Sequence, residues 1–106
     1  MKTKHAAMLT AMALAFASAG AAAAGPEDAM NKAGCMACHT KDKKVVGPAF
    51  KDIAAKYKGQ DVVAKLMDKA RKGGSGVWGP VPMAPNPPEK INDADLKAAI
   101  EYILKS

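Results

Sequence analysis

The sequence predicts an all-α domain built from short helices. Three observations predict it. Apolar residues recur at helical spacing in separate stretches, each bounded by glycine, proline or a capping residue. No stretch alternates apolar and polar residues for long enough to make a strand; the β-branched pairs Val45-Val46 and Val62-Val63 are too short to argue for a sheet. The only two cysteines lie together in Cys35-Met36-Ala37-Cys38-His39, where the first helical stretch runs out.

Residues 1–24 read as a secretory signal peptide that is cleaved. Lys2 and Lys4 precede an uncharged run from Ala6 to Ala24, and Ala22 and Ala24 are placed for an A-x-A cleavage. The run is near the length of a membrane span, but it is mostly alanine, which is only weakly apolar. A retained anchor is therefore the weaker reading, and no stable membrane insertion is expected after cleavage. Residues 25–106 then form one domain. A domain this small has a marginal apolar core unless a disulfide, metal or cofactor supports it.

The elements follow in order. Pro26 can open a first helix, with Glu27 and Asp28 in its first turn where the helix dipole favours acids. That helix is expected to run into the cysteine motif. A polar loop from Lys41 closes at Gly47-Pro48. Phe50, Ile53, Ala54 and Tyr57 form the stripe of a second helix, which Gly59 ends. Asp61 is the expected cap of a third, carrying Val62, Val63, Leu66, Met67 and Ala70 up to Gly73-Gly74. Residues 73–91 read as one long loop, with prolines at 80, 82, 85, 87 and 88. Asn92 caps the last helix, with Asp95 as its capping-box partner and Leu96, Ala99, Ile100 and Ile103 as its apolar face.

The cysteine motif admits several chemistries. A thioredoxin-like dithiol needs a βαβ pattern beside it, and none is present. Structural zinc needs four ligands, and two cysteines with one histidine fall short. A bare disulfide fits the cysteines but gives His39 no task. Cys-x-x-Cys-His is the attachment sequence of c-type haem. Residues i and i+3 of a helix share a face, so both thiolates can add to the vinyl groups along one porphyrin edge. His39 then lies beneath the ring as the proximal iron ligand.

The sixth iron position decides the function class. An open one suits an enzyme, sensor or oxygen carrier; a filled one suits electron transfer. The only other histidine, His5, lies in the signal. Met36 is inside the attachment motif, Met30 fits the buried face of the first helix, and Met67 fits the core. Met83 stands in a loop braced by Pro80, Pro82 and Pro85. A lone loop methionine is ordinarily an apolar contact, but a backbone so restricted can hold a thioether against iron with little reorganisation. Met83 is the expected sixth ligand.

Gly34-Cys-Met-Ala-Cys-His39, Val46-Gly-Pro-Ala-Phe50 and Gly76-Val-Trp-Gly-Pro-Val-Pro-Met-Ala-Pro-Asn86 together resemble the short bacterial class I cytochromes c, the cytochrome c-551 group. The likeness runs from about Glu27 to the C-terminus. It implies four to five short helices wrapped around one haem c, covalent through Cys35 and Cys38, with His39 and Met83 as metal ligands. It also implies three supporting roles: the Pro48 carbonyl accepting from His39 Nδ1–H, the Trp78 indole donating to a haem propionate, and the Asn86 amide donating to the Met83 sulfur. The function implied is single-electron transport in the periplasm, in respiration or denitrification, and not an enzymatic one. Electrons would come from a cytochrome bc1-type donor and go to a nitrite reductase, terminal oxidase or peroxidase. One departure is Ala84, where the group usually has proline; it frees φ and adds an N–H beside Met83.

Charge bears on partners. The chain is net +6 and unevenly so: residues 32–72 hold 11 Lys or Arg against 4 Asp or Glu, while the flanking mature segments are net acidic. Part of this basic set is expected to steer an acidic redox protein to a monomeric carrier. Nucleic acid, the other usual partner of a basic surface, does not fit a periplasmic address.

Overall fold

A computed structural model describes residues 25–106; the expected signal peptide lies outside the described residues. Helix α1 spans Pro26–Ala33, and α2, α3 and α4 span Phe50–Lys56, Val63–Lys72 and Asp93–Leu104. The all-α expectation holds, with one addition. Gly74–Gly76 (β1) and Gly79–Met83 (β2) form a small antiparallel hairpin inside the stretch read as a loop. Gly74 pairs with Met83 and Gly76 with Gly79, and the register shifts between the pairs. Pro80 and Pro82, which have no N–H to give, fall within that shift. Proline and glycine are poor strand formers, so no propensity announced this pairing.

Local chemistry accounts for the helix ends. α1 starts with Pro26 at its first turn and stops where Gly34 takes φ 85°, a left-handed conformation in which its N–H caps the carbonyls of Asn31 and Met30. The cysteine motif is therefore not a continuation of α1. It sits on a separate 3₁₀ turn, Cys35–Ala37. α3 also departs from expectation. Its N-cap is Val62, with no side-chain cap, so Asp61 does not perform that task. α4 is capped by Asn92 as read, its Oδ1 accepting from the Asp95 N–H at 2.8 Å, while the Asp95 carboxylate accepts from the Asn92 side-chain Nδ2 at 3.1 Å rather than from its backbone N–H as in a capping box. Such a cap is worth about 1 kcal/mol.

α4 packs against α1, α2 and α3 and is the spine of the domain. Its Leu96, Ala99 and Ile100 meet Met30 and Ala33 of α1, Phe50 of α2 and Ala70 of α3 in one core. Phe50 and Met30 are the most deeply buried large side chains. Each contributes about 1.5–3 kcal/mol by leaving water. The methionine reading holds for Met30 and Met67: the first is core, and the second packs on its edge.

Candidate functional site

The 3₁₀ turn arranges the cysteine motif. Side chains at i and i+3 eclipse on such a turn, which suits Cys35 and Cys38 even without an α-helix beneath them. The Cys35 carbonyl accepts from both the Cys38 N–H (3.1 Å) and the His39 N–H (3.0 Å), which ties the three residues together. Both cysteines are free thiols and half-buried. Burial pushes the Cys35 thiol above its ordinary 9.0.

His39 is held on three sides. Its Nδ1 lies 2.8 Å from the Pro48 carbonyl. A carbonyl can only accept, so Nδ1 carries the proton and Nε2 presents its lone pair. The ring stacks on Phe50, with centroids 5.6 Å apart and planes 23° from parallel. Gly47 lies so close that a Cβ there would sit 2.4 Å from His39 Cε1. Gly47 is itself fixed by donating to the Cys38 carbonyl at 2.8 Å. The turn at Gly47-Pro48 thus serves as the bracket for the imidazole.

Met83 ends β2 and is half-buried against the core edge. Its backbone lies on Gly73, where φ is 68° and a Cβ would come 2.4 Å from the Met83 carbonyl oxygen. Asn86 is buried and ties this stretch to α3. Its N–H and its side-chain amide both donate to the Ala70 carbonyl, at 3.0 and 3.1 Å, and the amide also reaches the Ala84 carbonyl at 3.2 Å. In this structure the amide meets these two carbonyls, and the bond from Asn86 to the Met83 sulfur stays an expectation of the resemblance. Trp78 is 41% exposed, and the Lys56 ammonium sits 5.5 Å from its ring centroid.

These residues share one cleft of about 570 Å³. Cys35, Cys38, His39, Pro48, Trp78, Met83 and Asn86 all line it, although they come from four different parts of the chain. Phe50, Leu66, Leu96, Ile100 and Ile103 supply an apolar interior. The size is that of a small-molecule or cofactor site. An imidazole nitrogen, a thioether and two thiols along an apolar slot suit a haem bound covalently and ligated axially. The residues present fit that group. Sequence reasoning missed Gly47 and Gly73 as steric requirements, and it missed Arg71, which holds the stretch beyond Met83. The adjacency of Gly47 to Pro48 and of Gly73 to Gly74 was the available signal; nothing local marked Arg71.

Comparisons with known proteins bear on the family. A family model described as Cytochrome c matches residues 22–106. Cytochrome c-552 of Nitrosomonas europaea is 47% identical over 105 residues, covering 98% of this chain and 97% of that one. Cytochrome c-551 of Pseudomonas aeruginosa is 43% identical over 86 residues, covering 80% of each. The crystal structure of wild-type Nitrosomonas europaea cytochrome c552 superposes with a TM-score of 0.67 at 49% identity, covering 74% of this chain and 96% of that one.

Proposed function

The chain belongs to the cytochrome c family, carriers of one covalent haem c rather than enzymes, and we propose that it is a periplasmic single-electron carrier whose iron is held by His39 and Met83. The observation that carries the ligand assignment is that one cleft is lined by an imidazole with a free Nε2 and by the Met83 thioether. Bound there, the haem supplies reversible one-electron exchange, and a methionine ligand favours its reduced state relative to a second histidine.

The protein's residues supply the rest. Cys35 and Cys38 tether the group. Pro48, Phe50 and Gly47 hold His39 in one orientation, so little must rearrange when charge changes. The apolar interior keeps water from the site, which disfavours the more charged state. Trp78, at the cleft's edge, is assigned the propionate contact, and Asn86 the bracing of the Met83 loop. Residues 1–24 act as the export signal. The donor is a cytochrome bc1-type complex, and the acceptor is a nitrite reductase, terminal oxidase or peroxidase.

Carbon monoxide binding tests the assignment. The reduced wild-type holoprotein should resist it, whereas Met83→Ala should bind it readily and show a lower reduction potential. Equal binding by both proteins would remove Met83 from the iron.

A further inference from the structure

Asn86 is gripped by two consecutive residues of α3. The Ala70 carbonyl accepts from its N–H and its side chain, and Arg71 Nη1 donates to its carbonyl at 3.0 Å. The same Nη1 reaches the Ile91 carbonyl at 2.7 Å, and Nη2 pairs with the Asp93 carboxylate at the start of α4. The Arg71 side chain is 19% exposed. One guanidinium therefore pins both ends of the chain between the Met83 loop and α4. Between those ends the backbone closes on itself, with the N–H groups of Lys90 and Ile91 donating to the Pro87 carbonyl at 2.9 and 3.3 Å. Prolines at 85, 87 and 88 strip this stretch of donors, so its carbonyls need partners from elsewhere. A planar fork of five N–H groups can serve several carbonyls at once; a lysine cannot.

We propose that Arg71 is a positioning residue for Met83. By clamping the carbonyls of Asn86 and Ile91 it fixes where the loop presents the thioether, and so sets how firmly Met83 keeps the sixth position. Arg71 does not line the cleft, so it acts through Asn86, whose amide holds the Ala84 carbonyl next to Met83. The inference rests on Met83 being the iron ligand.

The test titrates ferric holoprotein with imidazole, which competes for the sixth position, while following the weak far-red absorption band of methionine-ligated iron. Wild type should show the band; its absence there would sink the ligand reading itself. Arg71→Met keeps an apolar stem and removes every donor. Its apparent imidazole affinity should rise about tenfold, equal to about 1.4 kcal/mol. Arg71→Lys, a single point donor, should rise by less. Asp93→Asn leaves both carbonyl bonds in place and should stay within about twofold of wild type, because its ion pair is largely exposed on the Asp93 side. An intact band with wild-type imidazole affinity in Arg71→Met would overturn the clamp and leave Met83 as ligand. So would a lowered unfolding midpoint with no change in imidazole affinity. If Arg71→Met does not accumulate, Arg71→Lys decides by the same titration, and wild-type affinity there counts against the clamp.

Discussion

Two glycines matter at the scale of single residues, for different reasons. Gly73 needs its left-handed φ of 68°, and the atoms that a Cβ would strike belong to the backbone of Met83, Ala84 and Pro85. Gly47 has ordinary dihedrals and needs only the absence of a side chain. A Cβ there would lie 2.4, 2.9 and 3.0 Å from three atoms of the His39 ring. The ring has little freedom to retreat, since it is bonded to Pro48 on one side and stacked on Phe50 on another. Gly47→Ala should therefore displace His39 and cost about 1–3 kcal/mol, the usual range for overpacking. Denaturant midpoints and the visible spectrum of the purified variant check this. A wild-type spectrum with a wild-type midpoint would mean the imidazole has room to move. Asn86 teaches a related lesson. The resemblance implies a donor to sulfur, and in this structure the side-chain amide lies within reach of the carbonyls of Ala70 and Ala84.

Between elements, α1 and α4 pack along their apolar faces and are also joined by a polar tie. Glu27 of α1 accepts from the Tyr102 hydroxyl of α4 and from Lys41 at 3.0 Å, and the Lys41 ammonium lies 5.2 Å from the Tyr102 ring centroid. The Tyr102 bond, then Lys41, hold the Glu27 carboxyl below its ordinary 4.5. The nearby Tyr102, then Glu27, hold the Lys41 ammonium above its ordinary 10.5. A lowered carboxyl pKa contributes stability that is fully present above the unfolded value and is lost as pH falls through the folded one. A raised ammonium pKa contributes below its unfolded value and is lost as pH rises through the folded one. The tie is thus complete from about pH 4.5 to about pH 10.5. Its worth is small, because the Glu27 and Lys41 side chains are both more than half exposed to solvent and screened. Glu27→Gln should lower the urea midpoint slightly at neutral pH, and the gap to wild type should close in acid as Glu27 protonates. A gap that persists or widens below the carboxylate range would sever Glu27 from the tie.

For the whole molecule, the placement of charge and apolar surface bears on docking. Among the described residues the exposed large apolar side chains are Val45, Val46, Val77, Trp78 and Val81, and all but Val45 line the cleft. The segment 32–72, which carries the cysteine motif, holds 11 of the basic residues. An apolar lip within a basic surface suits a small transient contact with an acidic redox protein. Charge then acts on association rate more than on affinity. Screening shortens from about 30 Å at 0.01 M salt to about 10 Å at 0.1 M. Stopped-flow electron transfer with a nitrite reductase or a bc1-type complex should therefore slow several-fold across that range. A flat response would leave docking to the valines alone and make the lysines solubilising.

The sequence by itself determined whatever depends on neighbours a few residues apart. Pro26 and the acids after it placed the start of α1, the Phe50 to Tyr57 stripe placed α2, and Asn92 with Asp95 placed the start of α4. These signals act within one or two helical turns, where covalent geometry leaves few choices. The cysteine-histidine spacing was legible for the same reason, and it carried the haem reading. Asp61 failed as a cap because helix ends vary by a residue or two and Val62 took the position without a side-chain bond. Only the tertiary structure decided the rest. The Gly74 to Met83 pairing joins residues with no strand propensity, and the Arg71 clamp reaches partners 15, 20 and 22 positions away. The clearances at Gly47 and Gly73 likewise depend on rings and carbonyls brought in by other parts of the chain. No local preference encodes such contacts, because they exist only once α4 has gathered the other helices around the core.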